Sequence, residues 1–204
     1  MQYALKEYWE ERYQKNNEPF EWFQSFPDLK EVISANIPKE FKVLHIGCGS
    51  SELAAQMVAE GWSDIVNVDF SSTIINVLKK RYAGKPELSF VEMDVGEMNF
   101  AAGSIDAVLD KACLDSILCC EEAQKQAEKI IAQIYKVLRP GGMFLLVATN
   151  HSETKLKMLE RTEFEWNVIV EAIPKPGLLN LPLDDDVSYH YVFICRKATG
   201  VVYH

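Results

Sequence analysis

With 204 residues, 48% hydrophobic and 25% charged, and a net charge of −9, the chain has enough apolar content to bury the core of one globular domain, 1–204. That content excludes a disordered chain, and 10 Gly with 8 Pro exclude a collagen-like one. No apolar run approaches the roughly 20 residues that cross a bilayer, and 30 Asp+Glu against 21 Lys+Arg leave no basic stripe for a nucleic acid.

The first 40 residues are dense in aromatics, Tyr8, Trp9, Tyr13, Phe20, Trp22, Phe23 and Phe26 among them. Strand and helix patterns then alternate. Lys42 to Ile46 reads as a buried strand ending at glycines, and Ser51 to Glu60 as a helix stopped by Gly61. Ile65 to Val68 is a second strand, followed by a helix capped at Ser71 or Ser72 and running through Tyr82. Leu88 to Met93 and Ile105 to Asp110 are the third and fourth strands. Glu121 to Leu138 carries apolar residues at helical spacing, from Ala123 to Leu138. Arg139-Pro140-Gly141-Gly142 breaks that helix before a fifth strand, Met143 to Ala148. A short helix from about Ser152 to Arg161 precedes strands at Trp166 to Ile173 and Tyr189 to Arg196, with the loop Pro174 to Asp186 between them.

This alternation predicts an α/β fold, a mostly parallel seven-stranded sheet with helices on both faces. The last two strands, with no helix between them, predict an antiparallel C-terminal hairpin. Residues 41–150 form the expected binding core, 1–40 an aromatic lid and 151–204 the acceptor-side region. Five cysteines in no C-x-x-C spacing suit reduced thiols, and four scattered histidines give no metal-ligand pattern. The N-terminus has no basic segment followed by an apolar one, so the expected address is cytoplasmic.

The first strand runs into Gly47-Cys48-Gly49-Ser50-Ser51-Glu52, a glycine turn before a helix, where exposed backbone N–H groups can meet a ligand. A dinucleotide fingerprint would place a third glycine where Glu52 stands, and a carboxylate there repels a pyrophosphate. Asp69 ends the second strand 20 residues after Gly49, where an acid accepts from both ribose hydroxyls. Asp94 follows the third strand, near where an adenine amino group would lie. An adenosine-containing ligand without phosphate is most economically S-adenosylmethionine.

The quoted loop, Tyr8-Trp9-Glu10-Glu11-Arg12-Tyr13, Phe20-Glu21-Trp22-Phe23, Val68-Asp69-Phe70-Ser71, Met93-Asp94-Val95 and Asp106 to Asp115 carry a family resemblance. The chain resembles the class I S-adenosylmethionine-dependent methyltransferases. Within them it is similar to the methyltransferase-like group of elongation factor 1-alpha lysine methyltransferases, the endothelin-converting enzyme 2-associated type. The resemblance implies that Trp9, Tyr13 and Trp22 close over the cofactor and that Gly47 lines its methionine end. It implies further that Asp69 and Phe70 hold the ribose and adenine, that Asp94 and Val95 contact adenine, and that Lys111 reaches the cofactor. Lys111 could pair with the methionine carboxylate or be a solvated strand-end lysine. The chain reads Asp110-Lys111-Ala112 where relatives commonly have Glu-Lys-Gly, a small change unless that backbone needs positive φ.

Methyl transfer needs alignment and an unprotonated nucleophile. Asp110 is the first candidate to orient an acceptor amine and Asp115 the second, with an N-cap as the competing role for Asp115. His190, Trp166 and Val168-Ile169-Val170 read as structural or core, and Asp184-Asp185-Asp186 as a solvated loop. The expected activity is protein-lysine N-methylation, with elongation factor 1-alpha the implied protein partner and a monomer the expected state. A small-molecule methyltransferase and a cofactor-binding protein without turnover are the alternatives.

Overall fold

The computed structural model describes residues 2–119, 123–177 and 188–200. The expected helix start at Glu121 and the Asp184 to Asp186 loop lie outside them. The N-terminal segment forms α1 (Lys6–Lys15) and α2 (Phe26–Asn36), ahead of a run of β1 (Lys42–Ile46), α3 (Leu53–Ala59), β2 (Asp64–Asp69), α4 (Ser72–Arg81) and β3 (Leu88–Glu92). β4 (Ile105–Lys111), α5 (Cys113–Leu118), α6 (Ala123–Val137), β5 (Leu138–Ala148), α7 (Glu153–Leu159), β6 (Trp166–Pro174) and β7 (Tyr189–Lys197) complete the order.

The seven strands form one sheet in the order β3-β2-β1-β4-β5-β7-β6. β1 to β5 pair in parallel, whereas β7 runs antiparallel to both β5 and β6. The expected terminal hairpin is present, but its second strand is inserted between β5 and the first. β6 is therefore the edge, and its side chains alternate between cover and solvent. Ile169 consequently stands 52% exposed, which corrects the reading of Val168-Ile169-Val170 as uniformly core. Trp166 packs inward with its indole N–H donated to the Leu159 carbonyl at 2.6 Å.

Period-two alternation sorts the strand side chains into two cores. Val43, Ile65, Leu109 and Leu145 face α2, α3 and α4, while Leu44, Val66, Val108 and Phe144 face α6. The apolar stripe of α6, Ala127, Ile130, Ile131, Ile134 and Val137, is buried on that second face. That buried stripe holds the helix by packing. Arg139 to Gly142, expected as a break, is taken into β5 as a bulge. The ladder passes from Ile105 opposite Leu138 to Ala107 opposite Met143.

Between β4 and α5, Ala112 sits in the left-handed region at φ 76°, ψ −7°. That backbone costs a residue with a Cβ about 1–2 kcal/mol, and glycine nothing sterically. The extra freedom of an unfolded glycine chain offsets part of the relief. Ala112→Gly is expected to stabilise the fold by about 1 kcal/mol, raising the melting temperature by about 2–4 °C. An unchanged or lower melting temperature would contradict the strain.

Candidate active site

The carboxyl ends of β1 to β5 converge on a cavity of about 950 Å³. Open α/β sheets bind ligands there because the helix N-termini and strand-end loops turn their free N–H groups toward it. Trp9, Tyr13, Trp22, Gly47, Gly49, Asp69, Phe70, Asp94, Val95, Lys111 and Asp115 all line it. Asp110 does not. No group of three His, Cys, Asp or Glu among the described residues could hold a metal ion, and no described helix is long and apolar enough to cross a membrane.

The glycine loop is shaped by close approach. Gly47 has φ 57°, and a Cβ there would stand 2.6 Å from the Cys113 sulfur. Gly49 has φ 49°, and its Cβ would stand 2.7 Å from the Tyr13 hydroxyl, so the loop and α1 can touch only through glycine. Asp69 accepts from the Gly49 amide through Oδ2 and from the Ser71 amide through Oδ1, both at 2.9 Å. Burial pushes its pKa up to about 6, against those two amide hydrogen bonds. Each carboxylate oxygen keeps a second acceptor site. Asp94 caps the next turn, accepting from the Gly96 amide at 2.7 Å.

The near wall comes from the N-terminal segment. Trp9 stacks on Tyr13 with centroids 5.8 Å apart and meets Trp22 edge-on at 6.5 Å. Two carboxylates of this segment cap helices of the core. Glu10 accepts from the Ser72 amide at 2.8 Å, the Thr73 amide at 3.3 Å and the Ser71 hydroxyl at 3.0 Å, at the start of α4. Burial alone would raise the Glu10 pKa, but these hydrogen bonds pull it below the usual carboxylate range. Glu21 accepts from the Glu52 amide at 2.7 Å and the Ser51 hydroxyl at 2.7 Å, just ahead of α3. It also takes the Lys111 ammonium at 2.6 Å, while Lys111 donates to the Trp22 carbonyl at 2.9 Å. The Lys111 side chain is 2% exposed, so it is not the solvated lysine that was the alternative. Burial lowers its pKa and Glu21 opposes that.

The two aspartates of the Asp110 to Asp115 block divide their work unexpectedly. Asp110 is fully buried and caps α5, accepting from the Cys113 amide at 2.9 Å and the Leu114 amide at 3.0 Å. Asp115, which sequence order suggested as the N-cap, lies within α5 and faces the cavity. Its Oδ2 accepts from the Thr149 amide at 2.8 Å and hydroxyl at 2.9 Å, and its Oδ1 pairs with the Lys155 ammonium at 2.7 Å. Lys155 also donates to Asn150 Oδ1 at 2.9 Å. Lys155 and Thr149 line the cavity, and neither stood out in the sequence. His190, outside the wall, packs on Phe23 at 5.2 Å, while His45, which lines the cavity, pairs with Asn67 at 3.0 Å, its pKa pushed down to about 4 by burial.

With this geometry in view, a family model described as a methyltransferase domain matches residues 44–146. The chain belongs to the methyltransferase domain family. It is 36% identical over 177 residues to the human (Homo sapiens) eEF1A lysine and N-terminal methyltransferase, covering 84% of this chain and 25% of that protein. It is 27% identical over 177 residues to the mouse (Mus musculus) EEF1A lysine methyltransferase 4, covering 82% of this chain and 69% of that protein. The chain thus spans about a quarter of the first relative's length. Among solved structures, the N-methyltransferase NodS from Bradyrhizobium japonicum, in complex with S-adenosyl-L-homocysteine, superposes with TM-score 0.63 at 16% identity, covering 84% of each chain. The cyclase SpnF superposes with TM-score 0.70 at 14% identity, covering 97% of this chain and 94% of that one. A cyclase on the same frame shows that these likenesses establish the fold alone.

The lining of the cavity fits S-adenosylmethionine, the cofactor that the sequence resemblance implies. Asp69 keeps free acceptor capacity, the wall is aromatic, and Glu21 already occupies the donors ahead of α3 that a phosphate would need.

Burial raises the Asp110 pKa to about 8, against the Leu114 and Cys113 amide hydrogen bonds. Folded protein therefore binds a proton that unfolded chain releases above about pH 4, and stability declines as pH rises from there through 8. Asp110→Asn is expected to flatten that decline in denaturant unfolding at pH 5 and pH 8. An equal decline in both proteins would assign it elsewhere.

Proposed function

We propose that this chain is a protein-lysine N-methyltransferase acting on elongation factor 1-alpha, the protein named in its relatives' descriptions. The observation that carries the reading is the Asp115 carboxylate in the cavity wall. It already holds one alkylammonium, that of Lys155, at 2.7 Å in a side chain only 10% exposed. Beside that ion pair Oδ1 receives no hydrogen bond, so it keeps an acceptor site for an incoming lysine nitrogen.

Bound S-adenosylmethionine supplies an electrophilic methyl group on a sulfonium. Asp69 would accept from the ribose hydroxyls, Phe70, Asp94 and Val95 would face the adenine, and Gly47 would leave room at the amino-acid end. Trp9, Tyr13 and Trp22 would exclude water and lay aromatic faces near the positive charge. Asp115 orients the acceptor nitrogen, paired with Lys155 and fixed in rotamer by Thr149. The proton of the incoming ammonium leaves to water before displacement, because only a free lone pair can attack in line. Asp110 acts at a remove, by fixing the start of the helix that carries Asp115.

Purified elongation factor 1-alpha incubated with the chain and methyl-labelled cofactor is expected to take label on lysine, located by peptide mass spectrometry. Asp115→Asn should lower that rate by about tenfold or more, with S-adenosylhomocysteine affinity within about twofold of wild type. Label confined to small molecules would move the chain to that substrate class, and cofactor binding with no transfer would make it a binding protein.

A further inference from the structure

Four lysine or arginine side chains line the cavity: Lys6, Arg12, Lys111 and Lys155. Three are matched by carboxylates, Lys6 by Glu92 at 2.8 Å, Lys111 by Glu21 at 2.6 Å and Lys155 by Asp115 at 2.7 Å. Arg12 has no carboxylate within ion-pair distance among the described residues. Its guanidinium lies 5.6 Å from the Trp9 ring centroid, 5.5 Å from Phe20 and 5.4 Å from Trp22, with one long contact to the Tyr8 hydroxyl at 3.5 Å.

We infer that Arg12 receives the carboxylate of the cofactor's amino-acid tail, a role the sequence suggested for Lys111. The inference rests on the S-adenosylmethionine reading and adds a residue to that site. The tail's carboxylate needs a cation once it leaves water. Lys111 is a poor candidate, because its side chain is 2% exposed, two of its three donors serve Glu21 and the Trp22 carbonyl, and its charge is matched by Glu21. Drawing it away would strand Glu21 at the start of α3. Arg12 is half-buried against three aromatic rings, and its long hydrogen bond to the Tyr8 hydroxyl uses one of five N–H donors, so the fork can still take a carboxylate. Those rings belong to the residues that wall the cavity, so the carboxylate and the wall would stabilise one another.

Two ligands separate this role from a packing role. S-adenosylhomocysteine carries the carboxylate, and 5′-methylthioadenosine keeps the adenosine and sulfur but lacks the amino-acid tail. Calorimetric titration of both into wild type, Arg12→Met, Arg12→Lys and Lys111→Met reads the affinity ratio of the pair. Arg12→Met is expected to weaken S-adenosylhomocysteine by about tenfold or more and leave methylthioadenosine nearly unchanged. Arg12→Lys should keep part of the ratio, and Lys111→Met should leave the ratio near wild type even if both affinities fall. Equal weakening of both ligands in Arg12→Met, an unchanged ratio, or collapse of the ratio in Lys111→Met would each overturn the inference. Wild-type protein that bound neither ligand would instead remove the cofactor reading on which it rests.

Discussion

A buried ammonium needs a counter-charge, and Lys111 at the end of β4 finds it in Glu21, 90 residues earlier in the chain. Much of the site follows from that pairing. Glu21 can reach Lys111 only if the segment between α1 and α2 crosses the carboxyl edge of the sheet. The same carboxylate then meets the Ser51 hydroxyl and the Glu52 amide, so one side chain joins the lid, the glycine loop and β4. Glu10 repeats the device at α4, where its charge also suits the positive end of the helix. With both carboxylates placed, Trp9, Tyr13 and Trp22 have no position except the cavity wall.

This arrangement makes the N-terminal segment part of the site rather than an appendage. Segments over an open sheet edge commonly sample low-cost openings. Here an opening leaves Lys111 buried beside an empty acceptor position, which resists the motion. The contacts of Gln24 with the Pro174 carbonyl at 2.8 Å and of Phe23 with His190 extend the attachment to the β6 and β7 side. One piece of chain is thereby tied to the glycine loop, to β4 and to the β6 and β7 side of the sheet.

The parts legible in the sequence are those written by local pattern. Strand ends followed by glycine or Asp located Gly47, Gly49, Asp69 and Asp94, because a turn and its hydrogen bonds are decided within a few residues. The helical stripe of α6 was legible for the same reason. The insertion of β7 between β5 and β6 was not, since period-two alternation says which face a residue takes and nothing of strand order. Glu10, Glu21, Thr149 and Lys155 were invisible as site residues because their partners lie 61, 30, 34 and 40 positions away, counting Lys155 from Asp115. Asp110 rather than Asp115 caps α5 for a geometric reason. The strand leaves Asp110 pointing back under the helix start, whereas one helical turn carries Asp115 round to the cavity.

The pairing of Lys111 with Glu21 is tested most directly by a double-mutant cycle on unfolding free energy, using Glu21→Gln, Lys111→Met and the two together. The account predicts that each single change costs more than the pair jointly implies, with a coupling of about 1–3 kcal/mol. Amide exchange in the 3–24 segment should rise in both single variants. Additive effects with unchanged exchange in that segment would contradict it.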